Sequence, residues 1–273
     1  GENHVALIKT DWPAFAETEV RYRGQIILLV AGPDPDEVDR LLGEITIDYE
    51  EAEPAVTLDA GLACTGGPMH GEDNIYADFT LRKGEPEAAF ERAERIVEGE
   101  YSTGFQEQLY MEPQGLMVWS ENDGAKIVVH GSLQCPYYVK HAVEDAMGPG
   151  IEVQVVQATT GGAFGGKEDY PEIMSAPAAV AAWKIGRPLR LIFDRAEDMA
   201  WTSKRHPSRT KIRTAHDAEG RIIGMDYSII LDGGAYESYS VIVLQRAIFT
   251  SNGAYNFPNV VVRGRAVATS TVP

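Results

Sequence analysis

The chain has 273 residues and a formal net charge of −17 at neutral pH, from 41 acidic and 24 basic side chains. This charge argues against nucleic acid and anionic membranes as partners, because both require basic patches. No apolar run reaches the length of a membrane span, and a composition of 44% hydrophobic and 24% charged residues is typical of soluble globular proteins. The two cysteines, Cys64 and Cys135, follow no metal-binding spacing, so we expect reduced thiols in a cytoplasmic protein.

The first third of the chain predicts a small folded unit followed by an irregular segment. We expect a strand within 19–31, a short helix capped by Asp34 that begins at Pro35 and runs to about Leu42, and a second strand at 44–49. Residues 52–82 contain prolines, paired glycines and scattered acidic residues without periodicity. They therefore predict a linker or an extended crossing segment.

The rest of the chain predicts an α+β fold with mixed strands and helices. The expected strands are at 95–102, 115–120, 126–131, 151–158, 189–194, 209–215 and 222–232. The expected helices are at 86–95, 136–147 and 169–185. Asp123 followed by Gly124 favours a hairpin between the strands that flank them.

The most informative stretch is GGAFGGKE at residues 161–168, between a predicted strand and a predicted helix. Glycines at such a turn allow positive φ, and the free N–H groups before a helix favour an anion, so we expect a cofactor that bears an oxyanion. A tight structural turn that binds nothing is the alternative. A nucleotide-binding P-loop does not fit, because Glu168 stands where that motif needs a hydroxyl, and the glycine offsets do not match a dinucleotide fingerprint.

Five segments together resemble the molybdenum-binding large subunit of the xanthine dehydrogenase and aldehyde oxidase family. They are GGAFGGKE at 161–168, QEQLYMEPQ at 106–114, SLQ at 132–134, DRAEDM at 194–199 with RHP at 205–207, and QRA at 245–247. Their order and approximate separations agree with the family. The resemblance implies an α+β fold with a partial hammerhead α/β domain at 1–60, a linker at 61–82, and the first half of the molybdopterin-binding domain at 83–273.

The family carries molybdenum on a molybdopterin cofactor and hydroxylates an aromatic heterocycle or an aldehyde with water as the oxygen source. The resemblance implies that Gln134 donates a hydrogen bond to an oxo ligand of molybdenum, so that it serves the metal without binding it directly. Phe164 and Gly165 would bring an aromatic edge and a backbone N–H against the cofactor. The residues alone also allow Gln134 to cap the following helix and Phe164 to belong to the core.

Glu168 and Arg246 are the catalytic residues that the resemblance implies. Glu168 would hydrogen-bond the ring nitrogens or exocyclic oxygen of a purine, and Arg246 would stabilise negative charge on the ring from the other side. Aldehyde-oxidising relatives usually lack the glutamate, so the pair favours hypoxanthine or xanthine over an aldehyde. An aldehyde or nicotinate-type substrate, a surface salt bridge at either residue, and a non-catalytic assembly module are the alternatives. The apolar run at 241–249 predicts that Arg246 is buried with a partner.

The resemblance also implies further components. Two cysteines and no dinucleotide fingerprint leave no place for the electron-transfer centres, so we expect the 2Fe–2S and FAD groups on other domains or subunits. The cytosine dinucleotide is one possible form of the molybdopterin. The family's base glutamate and its Phe-Arg-Gly-Phe motif are not among the 273 residues. We therefore expect the remaining half of the molybdenum subunit as a partner, and no hydroxylase activity from this chain alone.

Overall fold

The computed structural model describes residues 1–5 and 8–273, which form two compact units. The first unit comprises Gly1–Ala52, Glu107–Lys204 and Val272, and the second comprises Glu53–Gln106, Arg205–Thr271 and Pro273. Each unit contains helices and a mixed sheet, so the predicted α+β class is confirmed. The domain limits inferred from the sequence stay a prediction. Among the described residues, no helix combines the length and the apolar character needed to cross a membrane.

Seven α-helices and nine strands are assigned along the described chain. The helices are α1 (Pro35–Glu44), α2 (Leu58–Leu62), α3 (Pro86–Glu91), α4 (Pro136–Met147), α5 (Pro171–Ile185), α6 (Arg195–Trp201) and α7 (Ser240–Thr250). The strands are β1 (Ile75–Lys83), β2 (Arg95–Thr103), β3 (Gly115–Glu121), β4 (Lys126–Gly131), β5 (Glu152–Gln157), β6 (Leu189–Ile192), β7 (Ser208–His216), β8 (Ile222–Asp232) and β9 (Val260–Val267).

The first unit is built on a four-stranded sheet in the order β5-β4-β3-β6. Strand β3 pairs antiparallel with β4 and β6, as the predicted hairpin requires. Strands β4 and β5 are parallel, and α4 forms the crossover that a parallel connection needs. Helices α4 and α5 pack against each other and cover the sheet. The first turns of α5 are buried on all sides, and most of their side chains are apolar or small, such as Ile173, Met174 and Ala176.

The second unit is built on a five-stranded sheet in the order β1-β9-β8-β7-β2. Only β8 and β9 pair in parallel, and α7 provides their crossover. Leu244 and Ile248 lie four residues apart on α7 and face the sheet. They join a core that contains Tyr76, Met225, Ile229, Leu231, Phe257, Val260, Val262, Ala266 and Ala268.

The two strands predicted before residue 50 are wrong. Residues 25–30 form no strand, and α1 continues to Glu44, after which residues 45–50 also form none. The prediction rested on alternating apolar side chains, but a strand requires a neighbouring strand for its N–H and C=O groups. Ile45 and Tyr49 are instead 41% and 58% exposed. The predicted helix cap is confirmed, because the Asp34 side chain accepts from the N–H of Asp36.

The segment predicted to be irregular contains two regular elements, α2 and β1. Between them Asn74, fully buried with φ of 60°, holds the chain through its side chain. Its Oδ1 accepts from the N–H of Met69 and His70 at 2.6 and 3.1 Å, and its Nδ2 donates to the carbonyl of Gly61 at 3.0 Å. Such side-chain to backbone bonds leave no periodic signal, which explains why this ordered segment was missed.

Candidate cofactor-binding site

The glycine-rich stretch forms the predicted turn between β5 and α5 in the first unit. Phe164 and Gly165 have φ angles of 54° and 95°, in the region that L-residues rarely adopt. The Phe164 side chain is 79% exposed, so the alternative of a core phenylalanine is wrong. A Cβ atom added at Gly165 would have no atom within 4 Å except those of Gly165 itself and the residues on either side of it in the chain, so the space beside Gly165 is open. The turn is therefore strained and open, as is common where a ligand approaches the backbone.

Gln134 lies in the loop between β4 and α4, and its side chain bonds to this turn. Its Oε1 accepts from the backbone N–H of Gly165 at 3.1 Å and of Lys167 at 3.3 Å. Its own N–H donates to the carbonyl of Lys167 at 2.8 Å. The helix-capping alternative is wrong, because α4 has Cys135 as its N-cap residue with no side-chain cap. The arrangement occupies the carbonyl oxygen of Gln134 and leaves its amide N–H groups as donors.

Lys167 turns its side chain into the interior of the unit. The ammonium lies 2.9 Å from Oε2 of Glu112 and 3.0 Å from Oγ of Ser132, and the side chain is completely buried. It also lies 4.8 Å from the centre of the Tyr110 ring. The rejection of a P-loop is thereby supported, since this lysine does not face a phosphate.

A buried network joins two other motifs to the turn. The Tyr110 hydroxyl donates to Asp198 at 2.6 Å and accepts from Nε2 of Gln114 at 3.0 Å. The same Nε2 donates to the carbonyl of Gly166 at 2.6 Å, and the N–H of Gln114 donates to Asp198 at 3.1 Å. A Cβ at Gly166 would clash with the Tyr110 ring. Burial and the Asp198 carboxylate both raise the pKa of Tyr110, so its hydroxyl stays a donor.

Helix α6 holds this network in place from its first turn. Asp194 caps the helix by accepting from the N–H of Glu197 at 2.7 Å, and Glu197 accepts in return from the N–H of Asp194 at 2.9 Å. Arg195 donates to the carbonyls of Tyr110 and Met111 at 2.8 and 2.7 Å. Three of the sequence motifs that carry the family resemblance thus meet around the glycine turn.

Glu168 follows the buried lysine, and its side chain is exposed at the end of the turn. Glu172, on the first turn of α5, is fully buried, and neither of its carboxylate oxygens has a hydrogen-bond partner among the described residues. Burial raises its pKa well above that of an ordinary glutamate, and the charges of Asp169 and Glu168 raise it further. Glu172 carries no distinctive sequence signal, because an acidic residue in a first helical turn is commonplace.

Arg246 belongs to the second unit, on α7. Its side chain is exposed and makes no ion pair with any residue in the described part of the chain. The predicted burial with a partner is therefore wrong, and so is the salt-bridge alternative for this residue. Leu244 and Ile248 turn towards the sheet, and a residue two positions from each points to the opposite side of the helix.

The second unit also contains His206, from the motif at 205–207. Its Nε2 lies 2.9 Å from Oγ of Ser240, the first residue of α7. Burial lowers the pKa of His206 to about 4, so the imidazole is neutral at physiological pH. Ser240 also donates to the carbonyl of Gly233 at 3.3 Å, so this pair fixes the start of α7. Among the described residues, no three His, Cys, Asp or Glu side chains are grouped to hold a metal ion directly.

The fold and the turn define an α+β domain with an open backbone site suited to a ligand. A sequence profile described as "Molybdopterin cofactor-binding domain" matches residues 69–273. The chain therefore belongs to the molybdopterin cofactor-binding domain family, and the family predicted from the sequence is confirmed at this level. The purine type stays a prediction.

Named relatives support the same family. The chain is 34% identical over 248 residues to the nicotinate dehydrogenase large molybdopterin subunit of Eubacterium barkeri, covering 90% of this chain and 58% of that protein. It is 32% identical over 252 residues to xanthine dehydrogenase 1 of Arabidopsis thaliana, covering 91% and 18%. The aldehyde oxidoreductase structure from Desulfovibrio gigas matches all of this chain and 31% of its own, with a TM-score of 0.87 and 26% identity. The chain thus spans only part of the length of these relatives.

Proposed function

We propose that this chain holds a molybdopterin cofactor through its glycine turn and Gln134, as part of a molybdenum hydroxylase. The observation that carries the proposal is the orientation of the Gln134 amide. Its Oε1 is occupied by the N–H groups of Gly165 and Lys167, so its NH₂ group is left to donate to an anionic oxygen. The open space beside Gly165 admits such a group.

When bound, the cofactor supplies a metal that makes a water-derived oxygen nucleophilic and that takes up the electrons of the oxidation. The chain's own residues prepare the site for it. Gln134 keeps its donor in a fixed direction, and Phe164 presents an exposed aromatic ring beside Gly165. Both cysteines are free thiols, whereas a 2Fe–2S cluster requires four protein ligands. We therefore assign the iron–sulfur and flavin centres to other domains or subunits.

For the substrate, we propose a purine such as hypoxanthine or xanthine. Glu168 and Arg246 both expose their side chains, one at the end of the glycine turn and one on α7. A purine offers hydrogen-bond donors and acceptors to a carboxyl group, and its ring gains negative charge during nucleophilic attack. The guanidinium group of Arg246 would stabilise that charge.

A nicotinate-type ring is the second candidate, favoured by the relative named nicotinate dehydrogenase. Nicotinate carries a carboxylate, which Arg246 would attract and Glu168 would repel. The two candidates therefore predict opposite effects of removing the Glu168 charge. With a purine, Glu168→Gln replaces the carboxyl group by an amide, which has neither a carboxylate acceptor nor an acidic proton for the substrate. With nicotinate, the same substitution removes the charge repulsion between Glu168 and the carboxylate of the substrate.

The test compares kcat/KM of the complete enzyme for hypoxanthine, xanthine, nicotinate and benzaldehyde, together with its molybdenum and pterin content. We expect a purine to be preferred, and Glu168→Gln to lower kcat/KM for it by about 100-fold. A preference for nicotinate that increases in Glu168→Gln would replace the purine by the second candidate. A purified enzyme without molybdenum and pterin would overturn the cofactor proposal itself.

A further inference from the structure

Lys167 connects the cofactor-facing side of the turn with the interior of the unit. Its backbone makes two hydrogen bonds with Gln134, one to the side-chain Oε1 and one from the backbone N–H. Its side chain extends in the other direction, to Glu112 and Ser132. A shift of the ammonium would therefore move the backbone atoms that orient the Gln134 amide.

Glu112 holds both ends of the glycine turn with one oxygen. Its Oε2 accepts from Oγ of Ser132 at 2.7 Å, from Nζ of Lys167 at 2.9 Å and from the N–H of Gly161 at 2.7 Å. Burial raises the pKa of Glu112, but the hydrogen bonds lower it by more than burial raises it. The pKa of Glu112 is therefore below that of an ordinary glutamate. The carboxylate is thus charged at neutral pH and pairs with a fully buried ammonium.

Such a pair is a poor source of stability. Removing the Lys167 ammonium completely from water is costly, the Glu112 side chain stays 42% exposed, and an apolar side chain in place of the lysine often gives equal or greater stability. Two charges at this position are better explained by the geometry that they impose. An ion pair with three hydrogen bonds on one oxygen restricts position more closely than apolar packing does.

We propose that Lys167 and Glu112 are a positioning pair that sets the direction of the Gln134 amide for the bound cofactor. This inference rests on the proposed cofactor-binding function. Neither residue is assigned a contact with the cofactor. Their effect passes through the backbone of Lys167 to Gln134, and through Gly161 to the start of the turn.

The test measures molybdenum and pterin per subunit in the complete enzyme, together with its thermal unfolding. In Lys167→Met we expect the unfolding temperature and the cofactor content to decrease, the cofactor content by about tenfold. In Glu112→Gln/Lys167→Met the carboxylate left without its cation is also neutralised, so stability should rise above that of Lys167→Met. Cofactor content should stay low in this double variant, because the Lys167 side-chain contacts are still missing. If cofactor content recovers together with stability, the pair is only structural and the proposal is overturned.

Lys204 provides the matched control. Its side chain is 8% exposed and lies 2.8 Å from Oε2 of Glu107 in the same unit, and it makes no hydrogen bond to Gln134. We expect Lys204→Met to lower stability and to keep the cofactor content of the parent enzyme. An equal loss of cofactor in Lys204→Met would also overturn the proposal. If the parent enzyme contains no molybdenum or pterin, the proposed function fails, whereas a loaded parent with a fully loaded Lys167→Met variant refutes only the positioning role.

Discussion

The hydroxyl of Tyr110 donates a 2.6 Å hydrogen bond to Asp198 across 88 residues of sequence. The same hydroxyl accepts from Gln114, whose amide also reaches the carbonyl of Gly166. One buried phenol therefore connects α6 with the glycine turn. All of these side chains are almost completely removed from solvent, so each polar atom depends on its partner in the network.

Tyr110→Phe is expected to destabilise the protein by about 1–3 kcal/mol. The ring and its contact with Lys167 would stay, but Asp198 and Gln114 would each lose a buried hydrogen bond. The free energy of unfolding in urea measures the effect. Tyr137→Phe is the control, because Tyr137 is 74% exposed and should change stability by less than about 0.5 kcal/mol. Equal values for the two variants would contradict the network.

Some features of each unit could be predicted from local sequence. Helix α4 runs from Pro136 to Met147, the predicted limits, because a proline begins it and Gly148 follows it. The exposure of Arg246 could also have been predicted from the sequence. Arg246 lies two positions from both Leu244 and Ile248, so it points to the side of α7 opposite the core. The error came from treating an apolar run as uniformly buried.

The hydrogen bonds between side chains of the site could not be predicted in the same way. Glu112 and Lys167 are 55 residues apart, and Gln134 and Gly165 are 31 residues apart. Sequence spacing gives no information about which side chains meet after the strands have paired. The motifs identified which residues belong to the site. The direction of the Lys167 side chain depends on how the folded first unit packs around it.

Glu172 should make the protein less stable as pH rises. Its folded pKa is raised, first by burial and then by the charge of Asp169, so folding favours its protonated form. Its stabilising contribution is complete below about pH 4.5 and is lost as pH increases through the folded pKa. Glu172→Gln should therefore gain stability over the parent between about pH 5 and 8, by up to about 1.4 kcal/mol per pKa unit.

Thermal unfolding across this pH range tests the effect. Glu152→Gln is the control, because Glu152 is an exposed residue on β5. It removes the same charge from the surface, and a gain with rising pH in Glu172→Gln that is absent in Glu152→Gln identifies the buried carboxyl group as its source. A flat difference curve for Glu172→Gln would mean that the Glu172 carboxyl is ionised in the folded protein without a penalty.

Cys135, next to Gln134, should react slowly with alkylating reagents. Burial raises the pKa of Cys135 to about 11, with further contributions from the charges of Glu168, Glu172 and Asp169. Only the thiolate is nucleophilic, so at pH 8 we expect alkylation at least about 100-fold slower than for a free cysteine. Mass spectrometry after iodoacetamide treatment measures the rate. The same residue in urea is the control, and equal rates in the folded and unfolded protein would contradict the prediction.

The Gln134 amide has two functions, since its Oε1 accepts hydrogen bonds from the turn and its NH₂ group is proposed to donate to the cofactor. Gln134→Glu separates them. A carboxylate can still accept from the N–H groups of Gly165 and Lys167, so the turn should keep its shape and the protein its stability. The NH₂ donor is lost, however, and a negative charge would face the anionic oxygen of the cofactor. We expect molybdenum and pterin content to fall about tenfold without a change in thermal unfolding. Gln154→Glu adds the same charge at an exposed position of β5 and should retain the cofactor. A fully loaded Gln134→Glu enzyme would mean that the donor is not used.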